Sequence, residues 1–156
     1  MNWDAIGAVG EVLGAVAVFI SLLYLALQIR NSRRTDQIIA AAQTASSVEE
    51  WIGQIVRDGE LYALYRKGLT DYDSLEPNDR GRFSLLILQF LRSMEVMWLQ
   101  RNHGAIDDEY WSGMKVAIGD VISTSGGSKS FARYRRALDP GFVKLVEQAL
   151  LEVSRE

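Results

Sequence analysis

The sequence predicts an all-α protein: an N-terminal transmembrane helix that continues into a long helix, followed by a compact cytoplasmic bundle of four or five helices. Three observations predict it. Residues 5–29 carry one charge, Glu11, whereas all 17 basic residues and 18 of the 20 acidic ones lie from Arg30 onward. No stretch alternates with the two-residue period of a strand, while apolar residues recur at helical spacing through most of the chain. The chain has 156 residues, 48% hydrophobic and 24% charged, with only two prolines, which suits one globular domain beside an anchor. The compositional break divides it into an anchor, 1–30, and a helical domain, 31–156.

The apolar run comes first. A bilayer crossing needs about 20 apolar residues, and 5–29 supplies them. A secretory signal peptide would place basic residues before an apolar core of about 7–15 residues. Here no Lys or Arg precedes the run, and Arg30, Arg33 and Arg34 follow it. Flanking basic residues stay cytoplasmic, so the N-terminus lies outside and residues from Arg30 onward inside. Trp3 suits the outer interface, and Tyr24 lies nearer the inner one.

Small residues give this segment a second property. Gly7, Gly10, Gly14, Ala17 and Ser21 follow alternating steps of three and four, and Tyr24 and Gln28 continue the series. That is a heptad seam, which favours left-handed helix packing. Small side chains let membrane helices approach closely, so the seam predicts a homo-oligomer. Glu11 lies one residue from the seam. A carboxylate there either reaches the outer headgroups or lines a polar ring in the oligomer, which would make an ion or proton pathway.

The following elements read as helices. Segment 31–57 has no glycine before Gly53 and no proline. Ile38, Ala42, Ala45, Val48, Ile52 and Ile55 share a face, and a break from the anchor is not required. If continuous, residues 5–57 form a rod of about 80 Å from the per-residue rise of a helix. Asp58-Gly59 stops it, and a short helix over 60–68 follows. Residues 70–78 read as a polar connection, with Pro77 placed to start the next helix. That helix, 79–101, has seven large apolar residues between Phe83 and Leu91 and is expected at the centre of the core. Arg92 and Glu95, spaced i and i+3, read as a helix-surface pair. Gly104 ends the helix, with His103 at its end able to interact with the last carbonyls and the helix dipole. Asp107 or Asp108 caps a helix to about Thr124. Ser125-Gly126-Gly127-Ser128 reads as a loop, 130–138 as a short basic helix, and Asp139-Pro140 as the lead into a last helix, 141–153. Trp51, Trp98, Trp111, Phe83 and Phe90 are expected to fill the core rather than hold a ligand.

Composition narrows the chemistry. A net charge of -3 argues against a nucleic-acid binder. The absence of cysteine excludes disulfides, thiolate metal sites and a cysteine nucleophile, and the one histidine, His103, excludes a multi-histidine metal site. Gly126-Gly127-Ser128-Lys129-Ser130 fails the phosphate-loop pattern, which needs glycine directly before the lysine and a preceding strand. Asp107-Asp108-Glu109 lacks the alternating ligands and glycine of a calcium loop. No nucleophile with a base and no split carboxylate pair stands out, so no catalytic residue, metal or cofactor is expected. Lys129, Arg133, Arg135 and Arg136, interleaved with Phe131 and Tyr134, form a basic segment without an acid. Such a segment either docks on anionic headgroups or is a solvated face paired with neighbouring carboxylates.

A resemblance runs through most of the chain. It is carried at the start by Asn2-Trp3, Ala5-Ile6-Gly7, Gly10-Glu11, Gly14-Ala15, Tyr24-Leu25-Ala26 and Gln28-Ile29-Arg30. Further on it is carried by Met94-Glu95, Gln100, Gly104-Ala105-Ile106-Asp107, Glu109, Trp111, Gly126-Gly127, Phe131, Arg135-Arg136, Asp139-Pro140, Phe142 and Leu150. This order resembles a large group of small bacterial proteins that pair an N-terminal span with a helical domain of unknown function. The resemblance implies a bacterial inner membrane and supplies no activity. Ser125 departs from it, since the group often has proline before the paired glycines. The expected partners are membrane lipid, further copies of the chain, and a protein recognised by the cytoplasmic bundle.

Overall fold

The computed structural model describes the backbone of residues 3–153 and the side chains of 14, 16–29, 39, 42 and 46–152. Gly7, Gly10, Glu11, Trp3, Arg30, Arg33, Arg34, Ile38 and Ala45 lie outside the described side chains. Among the described residues the protein is all-α. Six helices follow one another: α1 (Trp3–Arg57), α2 (Gly59–Thr70), α3 (Pro77–Asn102), α4 (Asp108–Ile122), α5 (Ser125–Tyr134) and α6 (Pro140–Val153). Single 3-10 turns lie at Tyr72–Ser74 and Arg135–Ala137. Two compact units result, Met1–Ile39 and Ala40–Glu156, and the boundary falls inside α1.

Among the described residues no helix is long and apolar enough to cross a membrane.

The second unit is a bundle around α3. Phe83, Ile87, Leu91, Met94 and Met97 of that helix are fully buried, as a central helix requires. Phe142 and Val146 of α6 and Ile118 and Ile122 of α4 complete the interior, with Trp51, Phe90 and Trp111 also buried and Trp98 packed at the margin. The face of α1 turned to this core is Val48, Trp51 and Ile55. Ile52, expected on that face, is exposed instead. Trp51 displaces it: it offers more apolar area, stacks near Phe90 and Tyr65, and its indole N–H donates to the Leu86 carbonyl at 3.0 Å.

The ends of the helices follow local chemistry. Asp58 caps α2, its carboxylate accepting from the N–H groups of Glu60 and Leu61 at 2.9 and 3.1 Å. Pro77 stands at the start of α3. Gly104, with φ at 73°, closes α3 in the left-handed conformation, and the Ala105 N–H reaches back to the Gln100 carbonyl. Asp107 caps α4 by accepting from the Tyr110 N–H at 2.7 Å.

Three expectations need correction. Helix α2 runs two residues past Gly68, because that glycine is an interior contact and not a stop. The connection 70–78 is not merely polar: Tyr72 and Leu75 are buried, and the Arg80 guanidinium ties the turn by donating to the carbonyls of Leu75 and Asp73. The stretch Ser125-Gly126-Gly127-Ser128 is the first turn of α5, not a loop. Thr124 caps it, its hydroxyl accepting from the Gly127 N–H at 3.1 Å. Both glycines are buried where backbones meet. A Cβ on Gly126 would lie 2.0 Å from the Gly68 carbonyl oxygen, and one on Gly127 2.0 Å from that of Val121.

Candidate functional site

In the first unit, every side chain described from 16 to 29 is exposed. Of the small-residue seam, Gly14, Ala17 and Ser21 are described and open. A Cβ placed on Gly14 would meet no described atom within 4 Å. The Ser21 hydroxyl donates to the Ala17 carbonyl at 2.9 Å, so its polar group is satisfied within the helix. The described members Gly14, Ala17 and Ser21 therefore present small side chains, and the Ser21 hydroxyl makes no demand on a neighbour. Tyr24 and Gln28 are exposed as well. Gly7, Gly10 and Glu11 lie outside the described side chains.

In the second unit, the basic segment acquires the acids that its own sequence lacks. Lys129 pairs with Asp73 and stands 5.7 Å over the ring of Tyr72. Arg135 pairs with Glu147 of α6 at 3.1 Å. Arg133 lies 5.8 Å over the Tyr134 ring, and Arg136 is exposed. Phe131 faces the core. The acids are supplied from elsewhere in the chain, Asp73 from 56 positions earlier, so no local reading finds them.

Lys129 holds the Asp73 carboxyl below the usual carboxylate range, first through its hydrogen bond and then through its field, with Arg80 adding to it. A carboxyl depressed in the folded state contributes stability above its unfolded value and loses it as pH falls through the lower folded value. An NMR titration of the Asp73 carboxyl carbon should give a midpoint below the ordinary ~3.9, and Lys129→Met should return it upward. A midpoint that ignores Lys129→Met would remove the pair as the cause.

Glu95 is the one charged side chain buried among the described residues, at 5% exposure. It accepts from Arg92 at 2.7 Å and from the backbone N–H of Asp139. The expected surface pair is thus corrected: Arg92 is half-exposed, but Glu95 points inward because Asp139 offers a donor there. Asp139 in turn accepts from the N–H groups of Gly141 and Phe142, capping α6. A second buried polar chain runs from the Tyr72 hydroxyl through Ser84 to Ser130, at 3.1 and 3.2 Å. Both serines are fully buried, and this chain joins the turn before α3, α3 itself and α5.

The surface groove lined by Arg101, Asp108, Trp111, Lys115, Gln148 and Glu152 has its charges paired, Arg101 with Asp108 at 2.8 Å and Lys115 with Glu152 at 3.2 Å. Among the described residues no group of three or more His, Asp or Glu stands close enough to hold a metal ion. His103 is the C-cap residue of α3, with its backbone N–H on the last carbonyls.

No known protein family matches the chain, and comparison with curated proteins and with solved structures finds no match. The functional reading therefore rests on the sequence and the geometry together. What sequence reasoning misses are Asp73, Glu147, Tyr72, Ser84 and Ser130, whose roles rest on partners far along the chain. One cue was local: Thr124 stands three residues before Gly127, the spacing of a helix N-cap.

Proposed function

We propose that this chain is a single-pass protein of the bacterial inner membrane, anchored by residues 1–30 with the N-terminus outside. It self-associates through Gly7, Gly10, Gly14, Ala17 and Ser21, and its helical domain in the cytoplasm serves as a scaffold that binds a protein partner.

One observation carries the reading. Ten large side chains between Val16 and Ile29 stand 49–68% exposed, with nothing in the described chain covering them. Leaving such a side chain in water forfeits up to about 1.5–3 kcal/mol each, and a lipid surrounding removes that cost. Contiguous apolar exposure on this scale marks a membrane or protein contact. The arginines that follow the run and the resemblance to anchored bacterial proteins support the same placement. Arg133 and Arg136, which have no carboxylate partner among the described residues, are the members of the basic segment left for anionic headgroups.

Two measurements test this. The full chain should stay in the membrane fraction through an alkaline carbonate wash, and release into the supernatant would sink the anchor. In mild detergent, with the detergent mass subtracted, the chain should have a defined multimeric mass. Replacing Gly10 and Gly14 by leucine should reduce that mass to the monomer's. The space beyond Gly14 is open in the described chain, and an unchanged far-UV circular dichroism spectrum of the variant assigns the loss to association. An unchanged mass would remove the seam as the interface.

A further inference from the structure

Residues 83–91 of α3 carry no charge, no proline and no glycine, and seven of the nine are large and apolar. Uncharged apolar segments of about six or seven residues are what stacked β-strands of identical chains are built from. Read with the two-residue period of a strand, both faces of this one are apolar, with Phe83, Ile87 and Leu91 on one and Leu86, Leu88 and Phe90 on the other. Isoleucine and phenylalanine are strand formers besides. In the bundle the segment is helical, and Phe83, Ser84, Leu86, Ile87, Phe90 and Leu91 are buried. Phe83 lies against Gly68 and Gly126, where α2 and α5 approach, so the segment leaves the interior only when that approach opens.

The borders of the segment are basic, Arg80 and Arg82 before it and Arg92 after it. Arg80 ties the turn before α3 and Arg92 pairs with Glu95, so both serve the fold. Arg82 meets Asp79 at 3.6 Å, with the two side chains 50% and 40% exposed, a pairing that contributes little to stability. A charge directly beside an apolar segment does serve the unfolded chain, because it resists the stacking of many copies. We propose that residues 83–91, once α3 leaves the bundle, pair with the same residues of a second copy of this chain as stacked β-strands, and that Arg82 holds this pairing off. A second copy is the occupant because stacking in register sets each side chain on its own counterpart about 4.8 Å away, which suits leucine on leucine and penalises a charge.

The exposed positions of the segment separate its two states. Leu85 is 57% exposed and Gln89 is exposed, so a lysine at either leaves the bundle interior untouched yet puts a charge inside the stack. Val116→Lys, at a residue of α4 that is 61% exposed, adds the same charge outside it. The full chain and each variant are held in mild detergent, which covers the apolar run of α1, at the urea midpoint of their own bundle. Sedimentation gives the fraction assembled, and limited proteolysis of the pellet with mass spectrometry gives the residues protected within it. The unchanged chain and Val116→Lys should pellet, with 83–91 inside the protected core, while Leu85→Lys and Gln89→Lys stay in the supernatant. Arg82→Ser should pellet sooner than the unchanged chain. Leu85→Lys pelleting as fast as Val116→Lys, a protected core elsewhere in the chain, or an unchanged chain that stays in solution would each overturn the pairing. An unaltered onset for Arg82→Ser overturns the role given to that arginine.

Discussion

Gly126→Ala should destabilise the bundle by about 3 kcal/mol or more, at or beyond the upper end of the usual cost of overpacking a core. The added methyl has nowhere to go. It would stand 2.0 Å from the Gly68 carbonyl oxygen and 2.7 Å from Cε1 of Phe83, a fully buried ring. Relief requires α2 and α5 to separate, which would pull Phe83 out of its packing and strain the Tyr72–Ser84–Ser130 chain. Set against a typical total of about 5–15 kcal/mol, the loss is large. Gly113→Ala is the control: a Cβ there meets no described atom within 4 Å, and alanine is the better helix former by up to about 1 kcal/mol. Urea unfolding of the full chain in detergent, followed by far-UV circular dichroism, measures both. Equal midpoints for the two variants would show that the α2–α5 crossing is not tight.

Glu95→Ala should cost about 3 kcal/mol, the lower end of what breaking a buried ion pair costs, because Arg92 can turn to water. The remaining loss comes from the Asp139 N–H, left without its acceptor beside the start of α6. Glu95→Gln keeps an acceptor for that N–H and loses only the charge on Arg92, so it should cost less. The site can be read directly by amide exchange: with alanine at 95, the first turn of α6 should exchange faster while the middle of α3 keeps its protection. Equal costs for alanine and glutamine would mean that the Asp139 contact contributes nothing.

How far the sequence could be read depends on where the deciding atoms lie. Helix ends were legible, because their causes are adjacent: Asp58, Pro77, Gly104 and Asp107 each act within a few residues. The central place of α3 was legible from its density of large apolar side chains. The Gly126-Gly127 pair was not, because two glycines in isolation favour a turn. Gly126 must be bare because Gly68 and Phe83, far upstream, leave no room for a side chain, whereas the crowding at Gly127 comes from Val121 and Thr124 close by. Glu95 looked like half of a surface pair because its neighbour Arg92 is adjacent and its second partner, Asp139, is not. The choice of Trp51 over Ile52 turned on Phe90, Tyr65 and the Leu86 carbonyl, none of them nearby in sequence. Of the proposed self-association surface, spacing alone was visible.

The buried contacts that close the bundle have a consequence for synthesis. Ser84 waits 46 residues for Ser130, and Glu95 waits 44 for Asp139. At about 5–20 residues per second, a nascent chain carries α3 for seconds before either partner exists. During that interval Phe83, Ile87 and Leu91 have only the upstream helices and, as it emerges, α4 to lie against. Ribosome-bound chains arrested before Ser125 would therefore be the form most in need of a chaperone, and those arrested beyond Val146, once clear of the exit tunnel, the first able to do without one.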